Sequence, residues 1–428
     1  MKNVRKAAVF VIAIMMLAVT TLPFSAAAEP ETITVSLRIE GVEETLFYDK
    51  SVIIKAGASV EELMTFVNEM EESPEIVILG STWGGTYISG IGGLNEFAHG
   101  GYSGWTMRVN DINPTVGQSA VFLEDGDEVI YFYGDPWGEP GMQYPVADLS
   151  RLYSDGILSF LSYDIAYDEE FNEIESVNPV VGATVTFGGR TYTTDENGEV
   201  KISDMAGLAG VQSLKIERYD EDSGVPTVLR LPSDFEMYVP FVDTPDGIWY
   251  DFPVEFSVRA GFFRGIGGNR FAPREQMTVA HLVTVLARIA GVDPELLTGG
   301  QWYVASLEWA IENNVLNLGE ILDEEGLLSD EGMAQLIEFA LSTYVTREDF
   351  IYMFYLTAGI TGTYDMDVRA DISGAADYDS IAEERLEAVS WAVASGIIRG
   401  TGGAAMTISP HVVVNRATVC QMLYNYYN

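Results

Sequence analysis

Apolar and polar residues alternate with a period of two over Ile33-Thr34-Val35-Ser36-Leu37-Arg38-Ile39, which predicts a half-buried strand. A helical stretch follows over 59–70, opened by the S-x-x-E pair Ser59 and Glu62, a capping signal. A Gly-rich segment, the turn Asp125-Gly126-Asp127 and a closing strand over 128–133 complete a small α+β unit, predicted over 29–135. The Pro/Gly-rich bridge 134–141 ends it. The next unit, 150–240, carries strand patterns over 157–167, 183–187 and 211–218. Its two alternating runs around Asn197-Gly198 predict a hairpin, because Asn-Gly tolerates the positive φ angles of a tight turn. From residue 241 the period changes to that of helices: Leu282, Val285, Leu286 and Ile289, then Val419, Met422, Leu423 and Tyr426, each follow i, i+3, i+4, i+7.

Those two helical faces belong to a repeat. Phe241-Val242-Asp243, Trp249, Gly261 to Gly265, Phe271-Ala272-Pro273 and Met277-Thr278-Val279-Ala280 return as Asp371-Ile372, Trp391-Ala392, Gly396 to Gly400, Ile408-Ser409-Pro410 and Val414-Asn415-Arg416-Ala417. Between them Trp302-Tyr303, Leu307 to Ile311 and Val345 to Phe350 mark a degenerate middle copy, with an acidic stretch over 318–332 in place of the Gly and F-x-P elements. The copies are bounded at 241–296, 297–360 and 366–428, and periodicity of this kind signals stacked supersecondary units. Each copy leads into its helix with a cap. Thr346 with Asp349 forms a capping box, and an Arg at the first helical position stands beside exposed N–H groups and the positive end of the helix dipole, a setting suited to an anion.

Composition narrows the setting. The leader, with Lys2, Arg5 and Lys6, an apolar run from Ala7 to Val19 and Ala26-Ala27-Ala28, reads as a signal peptide over 1–28; the run is too short to span a bilayer. Its three cations and no anions move the formal charge from −41 to −44, a field that repels nucleic acid. Cys420 is the one cysteine, so no intramolecular disulfide forms, and its helical context predicts a small buried hydrophobe. The remaining expectation is a secreted protein at the cell surface, with no transmembrane span once the leader is removed.

The chemistry of enzymes finds little purchase. The three histidines, His99, His281 and His411, fall in different units without metal-ligand spacing. The Gly-rich run Gly84-Gly85 through Gly93 lacks the lysine of a phosphate loop and reads as turns. Asp195-x-Asn197-Gly198 lacks the downstream acids of a calcium loop. Acid runs such as Asp168-Glu169-Glu170 and Asp323-Glu324-Glu325 read as solvated faces. No catalytic residue, metal or resident cofactor is called for.

Three resemblances extend this reading. Ser103-Gly104-Trp105, Arg108-Val109-Asn110, Pro114, Val116-Gly117 and Leu123 to Asp127 resemble the C-terminal domain of transcobalamin-type proteins. That implies a β-grasp-like fold, and in transcobalamins one wall of a corrinoid site, whose other, α-helical wall has no counterpart in this chain. The hairpin unit resembles carboxypeptidase-regulatory-like or immunoglobulin-like β-sandwiches, implying a spacer. The repeats resemble S-layer homology (SLH) domains, implying a helix-rich pseudo-threefold bundle whose grooves bind cell-wall polysaccharide, pyruvylated in that family. Thr346-Arg347-Glu348-Asp349 is the nearly intact copy of that family's motif; Asn415-Arg416 keeps the Arg, while the first copy has Val279 and His281 where the family has Arg and an acid. The expected site residues are therefore Arg347, Arg416, Thr346, Glu348 and Asn415, with Asp243, Trp249, Gly265, Asp371 and Gly400 near the loops. The expected function is non-covalent wall anchoring with two displayed modules. The alternative is capture of a small molecule such as cobalamin, or of a protein ligand, by the first domain.

Overall fold

A computed structural model describes residues 31–81, 85–135, 137–138, 141–167, 173–292, 301–316, 330–362, 365–399 and 406–428. The leader, the runs at 168–170 and 323–325, Gly84 and Gly400 lie outside them. The chain is multidomain and mixed α/β, and divides into two compact units, one running to Ala98 and resuming over Gly104–Phe132, the other comprising His99–Ser103 and Tyr133–Asn428. No helix among the described residues is long and apolar enough to cross a membrane.

In the first unit β1 (Thr32–Glu40) pairs antiparallel with β2 (Thr45–Lys55) and parallel with β7 (Glu128–Gly134). The sheet order is β2-β1-β7-β6, with β6 at Gly104–Val109. One face of β1, Ile33, Val35, Leu37 and Ile39, is buried with Leu63, Met64 and Val67 of α1 (Val60–Asn68). This is the period-two strand meeting the period-3.6 stripe of a helix. The capping box is present: the Ser59 N–H donates to Glu62 Oε2 at 2.7 Å and the Glu62 N–H donates to Ser59 Oγ at 3.3 Å. A smaller sheet holds β3 (Ile76–Gly80), β4 (Thr86–Ile91) and β5 (Leu94–Asn95). The expectation of turns over the Gly-rich run thus needs correction over Thr86–Ile91, which pairs as β4; within it Gly90 lies opposite Val77 and Asn95, and a Cβ there would meet the Asn95 side chain.

In the second unit, β9 (Ile157–Tyr167) pairs with β8 (Pro145–Asp148), β10 (Glu173–Pro179) and β13 (Glu199–Lys201). A second antiparallel sheet runs β12 (Arg190–Thr193), β11 (Thr184–Phe187), β14 (Gly210–Glu217), β15 (Glu236–Val239). Phe160, Val185, Phe187, Val200, Leu214 and Ile216 share one core between them, and the short helix α2 (Leu152–Asp155) covers one end with Leu152. The hairpin, however, turns at Gly188-Gly189, where φ is 57° and 72°. Asn197-Gly198 instead links β12 and β13, which lie in different sheets, and the Asp195 carboxylate accepts the Asn197 and Glu199 N–H groups at 2.9 Å each. A carboxylate engaged with its own turn explains the motif without a cation, and no cluster of three metal-ligating side chains occurs among the described residues.

The remaining helices are α3 (Asp251–Arg259), α4 (Val279–Ile289), α5 (Val304–Glu312), α6 (Asp330–Ser342), α7 (Arg347–Thr361), α8 (Leu386–Ala394) and α9 (Arg416–Tyr427). They bury one shared core that includes Leu282, Leu307, Phe354, Trp391 and Leu423. They pack in pairs, α4 on α5, α7 on α8 and α9 on α3, and α4 also meets α6 and α7.

Candidate functional site

The backbone just ahead of α4, α7 and α9 closes into a ring. The Met277 N–H donates to Val414 O (3.1 Å), the Val414 N–H to Val345 O (3.0 Å), and the Val345 N–H to Met277 O (2.9 Å). Two residues on, the first amide of each helix is satisfied by the neighbouring copy: Val279 by Thr343 O, Arg347 by Val412 O and Arg416 by Glu275 O, all at 2.9 to 3.0 Å. Of these six bonds, related by threefold permutation, the second three use helix-terminal donors that a lone helix leaves unsatisfied. Side-chain caps complete each start. Thr346 Oγ1 accepts the Asp349 N–H (3.3 Å) while the Thr346 N–H donates to Asp349 Oδ2 (3.0 Å); Asn415 Oδ1 accepts the Thr418 N–H (2.9 Å). At α4 the Thr278 N–H donates to His281 Nδ1 (3.2 Å), so an imidazole does the work of the acid.

The two predicted arginines hold equivalent places. Arg416, 9 % exposed, donates from Nε to Phe271 O (2.8 Å) and from Nη2 to Arg264 O (2.6 Å), its guanidinium 4.4 Å from the centre of the Phe271 ring. Arg347 donates from Nη1 to Ile408 O at 3.0 Å. Phe271 and Ile408 open the two F-x-P-like turns, in which Ala272 and Ser409 both take a left-handed φ, 57° and 56°. A carboxylate makes that conformation stable in each: Asp243 accepts the Phe271 and Ala272 N–H groups (2.8 and 2.9 Å), and Asp377 accepts those of Ile408 and Ser409 (2.9 and 2.7 Å). This corrects the sequence pairing, which set Asp371 opposite Asp243. Asp371 serves only its own turn, accepting the Ser373 N–H at 3.0 Å.

Trp249 and Trp391 are likewise not counterparts: Trp249 is 58 % exposed ahead of α3, whereas Trp391 is fully buried inside α8. The counterpart of Trp249 is Trp302, since each precedes a buried tyrosine that it meets edge-on, Tyr250 at 5.1 Å and Tyr303 at 5.3 Å. Glu348 is 8 % exposed and receives the Ala382 N–H (3.3 Å), with His411 Nδ1 3.2 Å away, which ties copies together. Gly265 is dictated by sterics, a Cβ there meeting Phe241 at 2.6 Å. Gly400, predicted for the site, lies outside the described residues.

Beside the predicted Arg416 and Gly265, residues that sequence reasoning missed make the groove. An open cavity of about 430 Å³ is lined by Arg416 of the third copy, Arg264, Gly265, His281 and Arg288 of the first, and Trp302 of the second. His281 stacks on Trp302 with ring centres 5.3 Å apart and planes 16° from parallel. Burial, followed by the charge of Arg416, holds the His281 pKa below the ordinary range, with Glu275 opposing. Burial also pulls Arg416 below the usual arginine value, still leaving it a cation. At the related position over α7 the arrangement differs. Val279 stands where Arg416 stands, and Arg385 closes on Asp349 (3.0 Å) and lies 4.6 Å from the Tyr352 ring centre. Repetition of the Trp-Tyr pair was the one signal that pointed to Trp302.

In the first unit the motif residues fasten the fold. Asn110 Nδ2 donates to Asp127 Oδ1 (2.7 Å), the Glu128 N–H donates to Asn110 Oδ1 (2.9 Å), and Trp105 Nε1 donates to Leu94 O (2.8 Å). Arg108, 2 % exposed, reaches Asn113 Oδ1 and Asp111 O.

With multidomain, mixed α/β architecture established, comparison adds one family: a domain of unknown function, DUF4430, matches residues 57–134. Among solved structures, that of haptocorrin in complex with Cbi is similar at 16 % identity and a TM-score of 0.22, over 26 % of this chain and 27 % of that one. The chain thus spans about a quarter of the haptocorrin chain it matches. No curated protein matches.

Proposed function

We propose that the protein is secreted and held non-covalently at the cell surface by three SLH repeats that bind anionic, pyruvylated wall polysaccharide. The observation that carries this reading is the groove at Arg416, where three arginines converge on one cavity in a chain whose net charge is −41. Local cation clustering against a global negative field is selective for a specific anion, since a carboxylate is attracted only where arginines outnumber acids at contact range. The threefold ring of backbone bonds supports the pseudo-threefold bundle. Co-sedimentation of residues 29–428 with wall sacculi tests the reading, using native sacculi and sacculi stripped of ketal-linked pyruvate by mild acid. Binding should depend on the pyruvate and fall in the Arg347→Lys/Arg416→Lys variant. Indifference to sacculi would remove the anchoring function.

For the first unit we propose the β-grasp-like fold of transcobalamin C-terminal domains, which the order β2-β1-β7-β6 with its parallel central pair supports. Its role in this reading is display. Saturable quenching of tryptophan fluorescence by cobalamin would make it a capture domain instead.

A further inference from the structure

The β-sandwich and the helical bundle belong to one compact unit, and they meet at the loop that walls the Arg416 groove. That loop, 264–271, supplies both carbonyls that hold Arg416, Arg264 O and Phe271 O, and through Arg264, Gly265 and Ile266 it lines the cavity. Between the two carbonyls in sequence stands Asn269, 9 % exposed and left-handed at a φ of 56°. Its backbone does what the repeat requires. Asn269 O accepts the Val242 N–H at 3.0 Å as Met406 O accepts the Ala376 N–H at 2.9 Å in the third copy, and Val242 and Ala376 each precede the carboxylate of their turn. Its side chain does something that Met406 cannot. Oδ1 accepts the Ala209 N–H at 3.1 Å and Nδ2 donates to Met205 O, so one amide closes on the segment that leads into β14 of the sandwich. Apolar contact surrounds this pair: Ala209 and Val211 pack on the core of the bundle, and a Cβ on Gly210 would stand 3.7 Å from the Phe241 ring, the same ring that a Cβ on Gly265 would meet.

We propose that Asn269 is a positioning residue for this groove: it fastens the loop 264–271 to the sandwich, which makes the sandwich a structural part of the binding site and not a passive spacer. With Gly265, Gly267 and Gly268 in it, the loop has little stiffness of its own. A ligand that meets a loose loop has to order it and gives up that much affinity, whereas a loop clamped beforehand imposes no such cost. The ligand, an anionic wall polysaccharide, rests on the anchoring reading above; the clamp does not.

The experiment places Asn269→Gly, Asn269→Asp and Tyr153→Phe in residues 29–428. Glycine keeps the left-handed backbone and removes both side-chain bonds, while Asp keeps an acceptor for the Ala209 N–H and loses the donor to Met205 O. Tyr153→Phe removes a different bond at the junction, from its hydroxyl to Pro240 O, outside the loop. Hydrogen exchange followed by mass spectrometry should quicken about tenfold or more over 264–271 and 205–211 in Asn269→Gly, and less in Asn269→Asp. The ring amides of Met277, Val345 and Val414 should keep the parent's rate. Sacculus affinity in co-sedimentation should weaken about fivefold or more in Asn269→Gly and stay at the parent's level in Tyr153→Phe. Unchanged exchange over 264–271 overturns the clamp. Ring amides that quicken with the loop make Asn269 a residue of general stability and overturn its positioning role; should the Gly chain not fold, the Asp chain decides by the same readouts. Quickened loop exchange with full sacculus affinity also overturns that role and leaves anchoring standing. If the parent itself ignores sacculi, anchoring falls, and the exchange rates alone uphold or overturn the clamp.

Discussion

Replacing Asp377 with alanine removes two charge-assisted acceptors from one turn. The carboxylate receives the Ile408 N–H at 2.9 Å and the Ser409 N–H at 2.7 Å, and Ser409 is held at a φ of 56°, a region unfavourable to residues with a Cβ. Each bond to a charged acceptor is worth about 1.5–3 kcal/mol net, and for a half-exposed carboxylate the lower figure applies, giving a loss of about 3 kcal/mol. At a slope of about 2 kcal/mol per M of urea, the midpoint of the transition should fall by roughly 1.5 M. The contrast is Asp371→Ala, which removes an exposed carboxylate serving only Ser373 and should move the midpoint much less. Burial raises the Asp377 pKa, but the Ile408 and Ser409 amides and the charge of Arg347 outweigh it and leave the value depressed. Stability from a depressed carboxylate is complete above its unfolded value near 4 and is lost as pH falls through the folded one, so parent and Asp377→Ala should converge only below about pH 4. Urea melts followed by near-ultraviolet circular dichroism, at pH 7 and pH 3, measure both effects. If Asp371→Ala proved as costly as Asp377→Ala, the threefold correspondence drawn between the Asp243 and Asp377 turns would be wrong.

Gly265→Ala should destabilise the same region by about 1–3 kcal/mol, because its Cβ falls 2.6 Å from the Phe241 ring and 3.1 Å from Arg270 O; a thermal melt equal to the parent's would contradict this. The Cys420 thiol is buried, and burial pushes its pKa up to about 12, so the native chain should resist an aromatic disulfide reagent at pH 8 and react on addition of denaturant; prompt reaction in the native state would show that α9 is open.

Much of the secondary structure was written locally. The alternation over 33–39, the Ser59/Glu62 box and the helix starts at Thr346 and Asn415 each depend on a few neighbouring residues, and they form where the pattern puts them. Errors arose where a signal is shared between distant segments. Asp371 and Asp377 both precede the third copy's helix, and only the partner amides of Ile408 and Ser409, some thirty residues on, tell them apart. Asn197-Gly198 has the chemistry of a hairpin turn, but register is set by which strands pair, and that chose Gly188-Gly189. The groove was least legible because its walls, Arg416, His281 and Trp302, come from three copies, and no window of sequence contains them together.

The six-bond ring has a consequence for how the polypeptide can be divided. In an open stack of repeats, units may be added or lost at the ends, and the terminal ones are sealed by polar faces. Here the amide of Met277 waits for the carbonyl of Val414, so no copy is terminal and the count cannot drift from three. A chain shortened by its last copy exposes one set of donors and one of acceptors at matching separation, which is the geometry of a vacancy that a second chain can fill. Truncation at this end therefore favours insertion of a copy from one molecule into the vacancy of another, and size-exclusion chromatography of residues 29–365 would reveal it as a concentration-dependent oligomer.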